Sequence, residues 1–362
     1  MSRSEAGAES HLEWSLPVPS VQELAKQQPH TVPSRYIIDD MDSFITTVDT
    51  DSDDYLLRVP LIDMTKLVNP DSHKEELQKL HSAFKHWGLF FQLINHGVPN
   101  EILGNIKEEV QNFFDLPLQE KKQSAQKPGS LEGYGQAFVT SEDQKLPWND
   151  MIFLKALPVE NKNVNLWPQK PPTFRETLEN YSEETRKVAV SLVRFMAMGL
   201  EVEAEEICKA YQGGRYEVRM NLYPPCPEPG RVIGISPHAD NSGITLLLEC
   251  GNMPGLQFLK DGKWVTVMPT DDAIVVNIGQ ISEIMSNGIY KAPDHRAVVN
   301  RVKDRMSIVT FCYPDSSINV GPTKELIGSG NPPLYKTLTH SEYLQTFNNR
   351  SLDIPFIDLL KI

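Results

Sequence analysis

The stretch Ile235-Ser236-Pro237-His238-Ala239-Asp240-Asn241-Ser242-Gly243-Ile244-Thr245-Leu246-Leu247-Leu248-Glu249 decides how this chain reads. It sets an imidazole and a carboxylate at i and i+2, just ahead of an apolar run. On a strand, i and i+2 project from one face, so His238 and Asp240 are expected to reach one metal ion together. His295, in Asp294-His295-Arg296, lies 57 residues beyond His238 (295 − 238). It is expected to arrive from a neighbouring strand, with room for several strands in between. Two imidazoles and a carboxylate cover one face of an octahedral ion and leave the opposite face open, a set that suits Fe(II) better than thiolates would.

His-X-Asp alone is a weak signal, because most such pairs are surface polar residues or a satisfied core histidine. The context strengthens it. Arg305 and Ser307, in Arg305-Met306-Ser307, are again i and i+2 and can face one cavity. A guanidinium forks onto a carboxylate through two charge-assisted hydrogen bonds, and a hydroxyl can add a third. Upstream, Asn221 and Tyr223 share one face of a short strand in Arg219-Met220-Asn221-Leu222-Tyr223-Pro224-Pro225, which ends at the double proline. The pattern is a metal with open positions beside an anchor for a dicarboxylate.

Six blocks, HWGLFFQLINHGVP (86–99), RMNLYPPCPEP (219–229), ISPHADNSGITLLLE (235–249), GLQFLKDGKWVTV (255–267), VVNIGQISEIMSNGIYKAPDHRAVVN (275–300) and RMSIVTFCYP (305–314), stand in the order found in the plant 2-oxoglutarate- and Fe(II)-dependent dioxygenases. From about residue 18 to the C-terminus the chain resembles that family, and most of all the branch of senescence-related and codeine O-demethylase-like proteins. The resemblance implies a double-stranded β-helix (jelly-roll) core. It implies Fe(II) on His238, Asp240 and His295, with 2-oxoglutarate on two of the open positions and O2 on the last. The distal carboxylate of 2-oxoglutarate is then expected on Arg305 and Ser307, with Tyr223 adding a hydrogen bond and Asn221 close by. It further implies oxidative decarboxylation to succinate and carbon dioxide, coupled to hydroxylation or O-demethylation of a bulky, mostly aromatic specialised metabolite such as an alkaloid or flavonoid. Ascorbate is expected to stimulate. By position alone, the segment Tyr134–Phe138, Asn241 and Phe311 are the expected pocket walls. The chain departs from the family's commonest pattern at Ala239, where Thr or Ser is usual, and at Asn241-Ser242-Gly243.

Composition agrees. A chain of 362 residues that is 40% hydrophobic can bury a sizeable core as one large or two modest domains. The formal net charge of −13 argues against nucleic-acid or anionic-membrane partners. No apolar run reaches the roughly 18 residues of a membrane span, and the first residues lack the apolar core of a secretory signal. Cys208, Cys226, Cys250 and Cys312 are scattered without paired spacing, which fits a reducing compartment. The expectation is a soluble, monomeric, cytosolic enzyme, with nuclear presence open, acting on a small molecule.

Four stretches are expected: a mobile tail (1–15), a helical N-terminal region (16–210), a jelly-roll core (211–315) and a helical C-terminal extension (316–362). The class is α+β, with helices flanking the jelly-roll. Ser20 and Glu23 read as a capping box at the start of a short helix. The acidic stretch 47–54 reads as a solvated loop. Apolar spacing predicts helices over 72–87, 100–115 and 181–202, and strands over 59–63 and 89–98. Asp261-Gly262 predicts a hairpin turn.

Other residues read more plainly. His96 is expected to hydrogen-bond at a strand end. Trp87 and Trp148 are core or pocket-wall aromatics, and Cys226 is a packed residue. His81 and His86 are partly exposed and unrelated to the metal. Arg219 is the second choice for the carboxylate anchor, and Asp294 either orients His295 or sits in a loop salt bridge. Two other functions stay open: an oxidase of the same fold using a different cosubstrate scheme such as ascorbate, and a non-catalytic ligand-binding protein.

Overall fold

The computed structural model describes residues 16–27, 30–38, 59–86, 90–127, 130–139, 141–350 and 354–362. The 1–15 tail, the acidic 47–54 loop and Trp87 lie outside them.

The N-terminal half alternates helices with short strands. In chain order they are α1 (Val21–Lys26), β1 (Leu61–Asp63), α2 (Met64–Val68), α3 (His73–His86), β2 (Phe91–Ile94), α4 (Asn100–Asp115), α5 (Leu118–Lys121), β3 (Gly133–Gly135), β4 (Asp150–Leu157), α6 (Phe174–Leu200) and α7 (Glu205–Gln212). Strands then dominate: β5 (Arg215–Tyr223), β6 (Ile235–His238), β7 (Ile244–Glu249), β8 (Leu256–Lys260), β9 (Lys263–Thr266) and β10 (Ile274–Ile278). After α8 (Gln280–Met285) come β11 (His295–Ala297), β12 (Arg305–Tyr313) and α9 (His340–Asn348).

Two sheets result. The larger has the order β1-β2-β10-β7-β12-β5-β4-β3, and the smaller has β6-β11-β8-β9. Apart from the parallel pair β1–β2, the pairings are antiparallel. Between the sheets lies an apolar layer that includes Leu247, Val275 and Val309 from the larger and Leu256, Phe258 and Val265 from the smaller. On its other face the larger sheet carries the main core, where Leu80, Phe84, Ile106, Val110, Leu178 and Leu192 of α3, α4 and α6 pack on Ile152, Val218, Leu246 and Ile308. Each such side chain contributes about 1.5–3 kcal/mol by leaving water. This is the jelly-roll with flanking helices.

Helix α4 occupies the expected span, bracketed by Pro99 and Leu116-Pro117. Helix α6 begins earlier than expected, because Phe174, Leu178 and Tyr181 extend its buried stripe toward the N-terminus. The Asp261-Gly262 turn joins β8 to β9 with φ of 50° and 77°, the pair of left-handed residues that a tight hairpin requires.

Three expectations change. The 16–210 stretch is not only helical: β1, β2, β3 and β4 join the same sheet as the C-terminal strands. The eight-residue run Asp150–Leu157, buried almost throughout, forms β4. The 316–362 extension holds one regular α-helix, α9, among its described residues, plus short 3-10 turns. Gly321-Pro322, Gly328, Gly330 and Pro332-Pro333 interrupt the rest. Finally, Ser20 caps α1 by accepting from Glu23 N at 3.3 Å, but Glu23 pairs with Lys26 instead of closing a capping box. Asp150 takes over: its carboxylate accepts from Ser20 Oγ, Val21 N and Gln22 N, which ties the N-terminal segment to β4.

Candidate metal centre and carboxylate anchor

His238 ends β6 and His295 opens β11, and the two strands pair with His295 opposite His238. Asp240 is not on a strand. It stands two residues past the end of β6, in a loop held by backbone hydrogen bonds from Gln280 N to Asp240 O (2.8 Å) and from Gly279 N to Gly243 O (2.9 Å). Gly279 is needed there, because a Cβ would come within 2.1 Å of Ser242 O and 2.8 Å of Asp240 O. The expected strand alternation therefore does not place the carboxylate; the loop does.

The three side chains converge. Asp240 Oδ1 lies 3.5 Å from His238 Nε2 and 3.6 Å from His295 Nε2. One donor atom from each residue falls within 4.8 Å of the others, close enough to share an ion. Each imidazole presents Nε2 because its Nδ1 faces a backbone carbonyl, Ser236 O at 2.8 Å for His238 and Pro293 O at 3.2 Å for His295. That arrangement fixes the tautomer that a metal requires. Pro293, not Asp294, thus orients His295. Behind it, Phe90 meets the His295 ring edge-on at 5.5 Å.

The second oxygen of Asp240 is claimed from the protein side. Thr245 Oγ1 donates to Oδ2 at 2.6 Å and Asn277 Nδ2 at 2.8 Å. Oδ1 accepts from neither of these donors and would be the oxygen open to an ion. Burial alone would raise the Asp240 carboxyl, but the two imidazoles and the Thr245 hydroxyl outweigh it and hold it well below the usual range. Burial pushes His295 down to about 4, against the pull of Asp240, so the ring is neutral and free to ligate at neutral pH. Thr245 and Asn277 escaped the sequence reading. Their signal was present: each is a polar residue inside a fully buried strand whose other residues are apolar, Glu249 at the end of β7 excepted.

From this centre a cavity of about 480 Å³, mouth included, runs between the sheets. Arg305 lines it, 3% exposed, opposite Tyr223 in the β12–β5 register, with its guanidinium 5.0 Å from the Tyr223 ring centre. Ser307 sits opposite Asn221, whose Nδ2 donates to Ser307 Oγ at 3.4 Å. Nη2 of Arg305 pairs with Glu249 Oε1 at 2.6 Å, while Nε and Nη1 are buried and make no geometric hydrogen bond among the described residues, with Tyr223 the polar neighbour of the guanidinium. A buried cation with unused donors in a cavity fits a carboxylate ligand. Arg219 lines the same cavity, but its Nε is engaged with Asn221 Oδ1 at 2.7 Å.

The expected pocket walls divide. Phe311 lines the cavity. Tyr134 does not: its ring packs in the main core against Phe113, and its hydroxyl donates to Asp150 Oδ2 at 3.2 Å. The demand of a buried phenol for an acceptor turns it inward. Phe138 is likewise absent from the lining. Asn241 turns its Oδ1 to Tyr313 Oη and its backbone oxygen to Tyr343 Oη, each at 2.8 Å, which links the metal loop to α9. The plainer readings fare as follows. Trp148 is fully buried and donates to Pro224 O, and His81 bonds Tyr290 Oη. Cys226 is buried, with its thiol pushed up to about 11 by desolvation, which suits a packed residue.

Comparison with known proteins identifies the family. A family model described as the N-terminal region of non-haem dioxygenase in morphine synthesis matches residues 59–170, and the 2OG-Fe(II) oxygenase superfamily model matches 212–314. The chain is 44% identical to Protein SRG1 of Arabidopsis thaliana, over 98% of this chain and 99% of that protein. It is 40% identical to codeine O-demethylase of Papaver somniferum, over 96% and 97% of the two chains. A crystal structure of JOX2 in complex with 2OG, Fe and JA superposes with a TM-score of 0.84 at 32% identity, covering 96% of this chain and 99% of that one. Among the described residues no helix is long and apolar enough to cross a membrane. The chain belongs to the 2OG-Fe(II) oxygenase superfamily and is an Fe(II)- and 2-oxoglutarate-dependent dioxygenase.

Proposed function

We propose that this dioxygenase holds Fe(II) through His238, Asp240 and His295. We propose further that it hydroxylates or O-demethylates a bulky aromatic specialised metabolite of the alkaloid or flavonoid kind. The observation that carries the reading is the buried Arg305, with Nε and Nη1 making no geometric hydrogen bond among the described residues, in the same cavity as the three convergent metal-binding side chains. Arg305, Ser307 and Tyr223 grip the distal carboxylate of 2-oxoglutarate, and Asn221 steadies Ser307. When bound, iron and 2-oxoglutarate supply the oxidising power that turns O2 on an unactivated C–H bond. The protein supplies orientation and exclusion of water. Oδ1 of Asp240 and the two Nε2 atoms would hold the ion, and the apolar layer around Leu247, Leu256 and Val309 would keep the reacting centre dry. Phe311 borders the substrate.

The relatives favour this substrate class, because one of them is named for O-demethylation of codeine. Hydroxylation of a methoxy carbon gives a hemiacetal that collapses to formaldehyde and a phenol, so one site serves both outcomes. We place the enzyme in the cytosol as a monomer, and size-exclusion chromatography with light scattering tests the second point. The deciding experiment loads the protein with Fe(II) without air, admits O2, and follows succinate release from 2-oxoglutarate against pooled flavonoids, alkaloids and phenylpropanoids. Succinate rising with a product one oxygen heavier, or one methylene lighter, is the expected result. Unchanged succinate formation in an Asp240→Ala protein would overturn the metal assignment.

A further inference from the structure

The anchor for the cosubstrate is already neutralised before any ligand arrives. Glu249 ends β7 with its carboxylate 7% exposed and Oε1 at 2.6 Å from Arg305 Nη2. Its other oxygen, Oε2, is buried without a hydrogen-bond partner. A dicarboxylate that docks on Nε and Nη1 of Arg305 brings a second carboxylate to one buried guanidinium. Two carboxylates on one cation leave an uncompensated negative charge out of water, and such a pair does not stay doubly ionised.

We propose that Glu249 is a positioning residue that serves as the proton-accepting counter-ion of Arg305, so that 2-oxoglutarate binding takes up one proton from solvent onto the Glu249 carboxylate. The inference rests on the assignment of Arg305 as the cosubstrate anchor. In the free protein the charged Glu249 holds the guanidinium in place by one nitrogen. In the complex the neutral acid keeps that contact through its carbonyl oxygen, and the ligand's carboxylate takes over the charge pairing.

Among the described residues neither Glu249 nor Arg305 has a second ion-pair partner. The titratable and charged groups that share the cavity with Arg305 are Tyr223 and Arg219 of β5, Arg296 of β11 and, toward the metal-binding side chains, His238, Asp240 and His295. Arg219 is engaged with Asn221 Oδ1 at 2.7 Å and Arg296 with Gln257 Oε1 at 2.8 Å. The Cys250 thiol, next in the chain to Glu249, has Lys107 of α4 and Tyr181 of α6 near it. Burial pushes the Cys250 thiol up to about 12, so it is neutral. Lys107 is paired with Asp272 at 3.1 Å. Burial also raises the Glu249 carboxyl from its ordinary value, with Arg305 opposing, so the acid is poised to accept the proton.

The test is calorimetric titration of 2-oxoglutarate into protein loaded with redox-inert Mn(II), in buffers of different ionisation enthalpy, over roughly pH 6–9. Wild type is expected to take up close to one proton per ligand on the alkaline side, with Kd rising about tenfold per pH unit there. Glu249→Gln, which keeps an acceptor for Nη2, is expected to take up none, to lose the alkaline weakening, and to bind more tightly than wild type at the highest pH. A wild-type Kd that is flat with pH and binding without proton uptake overturns the proposal and leaves Arg305 as the anchor. The same proton uptake in Glu249→Gln also overturns it. Failure of 2-oxoglutarate to bind wild type at all would overturn the anchor assignment itself. Should Glu249→Gln fail to fold, as judged by its melting transition, the wild-type proton count alone decides.

Discussion

Replacing Thr245 by Val removes a single hydroxyl from behind the proposed metal centre while keeping the shape of the strand. Thr245 Oγ1 donates to Asp240 Oδ2 at 2.6 Å, and Asn277 Nδ2 is the other donor, at 2.8 Å. A hydrogen bond to a buried carboxylate is worth about 1.5–3 kcal/mol. Its loss leaves Oδ2 with one partner and frees the carboxylate to rotate or to clamp the ion with both oxygens. Loss of an outer partner of a metal ligand weakens metal binding about 10–100-fold. Ser242 Oγ also loses its contact with Thr245 at 3.0 Å, so some of the cost falls on the metal-free fold. Anaerobic titration with Co(II), followed by its visible absorption, reads the affinity directly and needs no substrate. Thr245→Val is expected to bind about 10–100-fold more weakly, with a changed Co(II) spectrum. Thr245→Ser, which keeps the hydroxyl, is expected to stay within about threefold of wild type. Wild-type affinity in Thr245→Val would refute the argument that this hydroxyl sets the carboxylate, and so would an equal loss in both variants.

Three further outcomes are expected. Arg305→Ala should weaken 2-oxoglutarate binding by about 2–5 kcal/mol, whereas Arg219→Leu, which removes a side chain already held by Asn221, should weaken it less; titration calorimetry on the Mn(II)-loaded proteins ranks the two. His96 accepts from Val98 N through Nδ1 and faces Asp272 O with Nε2, so the fold wants it neutral, and burial lowers its pKa from 6.5. Its stabilising contribution is therefore full above about pH 6.5 and is lost as pH falls toward its lower folded value; urea unfolding should show this acid-side loss in wild type and a shallower one in His96→Gln. Asp150→Ala orphans the donors from Ser20, Val21, Gln22 and Tyr134 and should cost about 3 kcal/mol in the same unfolding assay.

The parts of the molecule that the sequence foretold are those fixed by local rules. Proline on both sides bounded α4, and Asp261-Gly262 supplied the two left-handed residues of a hairpin. The alternation of Arg305 with Ser307 and of Asn221 with Tyr223 placed two pairs on one strand face each, and the β12–β5 register then set them opposite one another. What stayed hidden depends on distant partners. The run Asp150–Leu157 becomes a sheet strand only because β5 offers an edge, and the short strand β3 only because β4 then offers the next one. Tyr134 turns inward because Asp150 waits for its hydroxyl, and Asn241 turns aside to Tyr313.

Asp240 shows most clearly where the local rule stops. Periodicity pairs it with His238, and the two do meet, yet the strand ends at His238 and the carboxylate is delivered by a loop. That loop is pinned by Gly279 and Gln280 backbone groups, and its carboxylate by Thr245 and Asn277. Thr245 of β7 follows Asp240 by five residues, but Asn277 of β10 and Gly279 and Gln280 at the start of α8 are remote in sequence and adjacent only in the fold. A strand residue would carry its side chain in an orientation set by the pleat alone. A loop residue needs donors to hold it, and those donors decide which oxygen remains for the ion. The two polar residues buried in the apolar strands β7 and β10 therefore do not interrupt the core. They carry the site's geometry, and Glu249 at the end of β7 extends the same face of that strand to the carboxylate anchor.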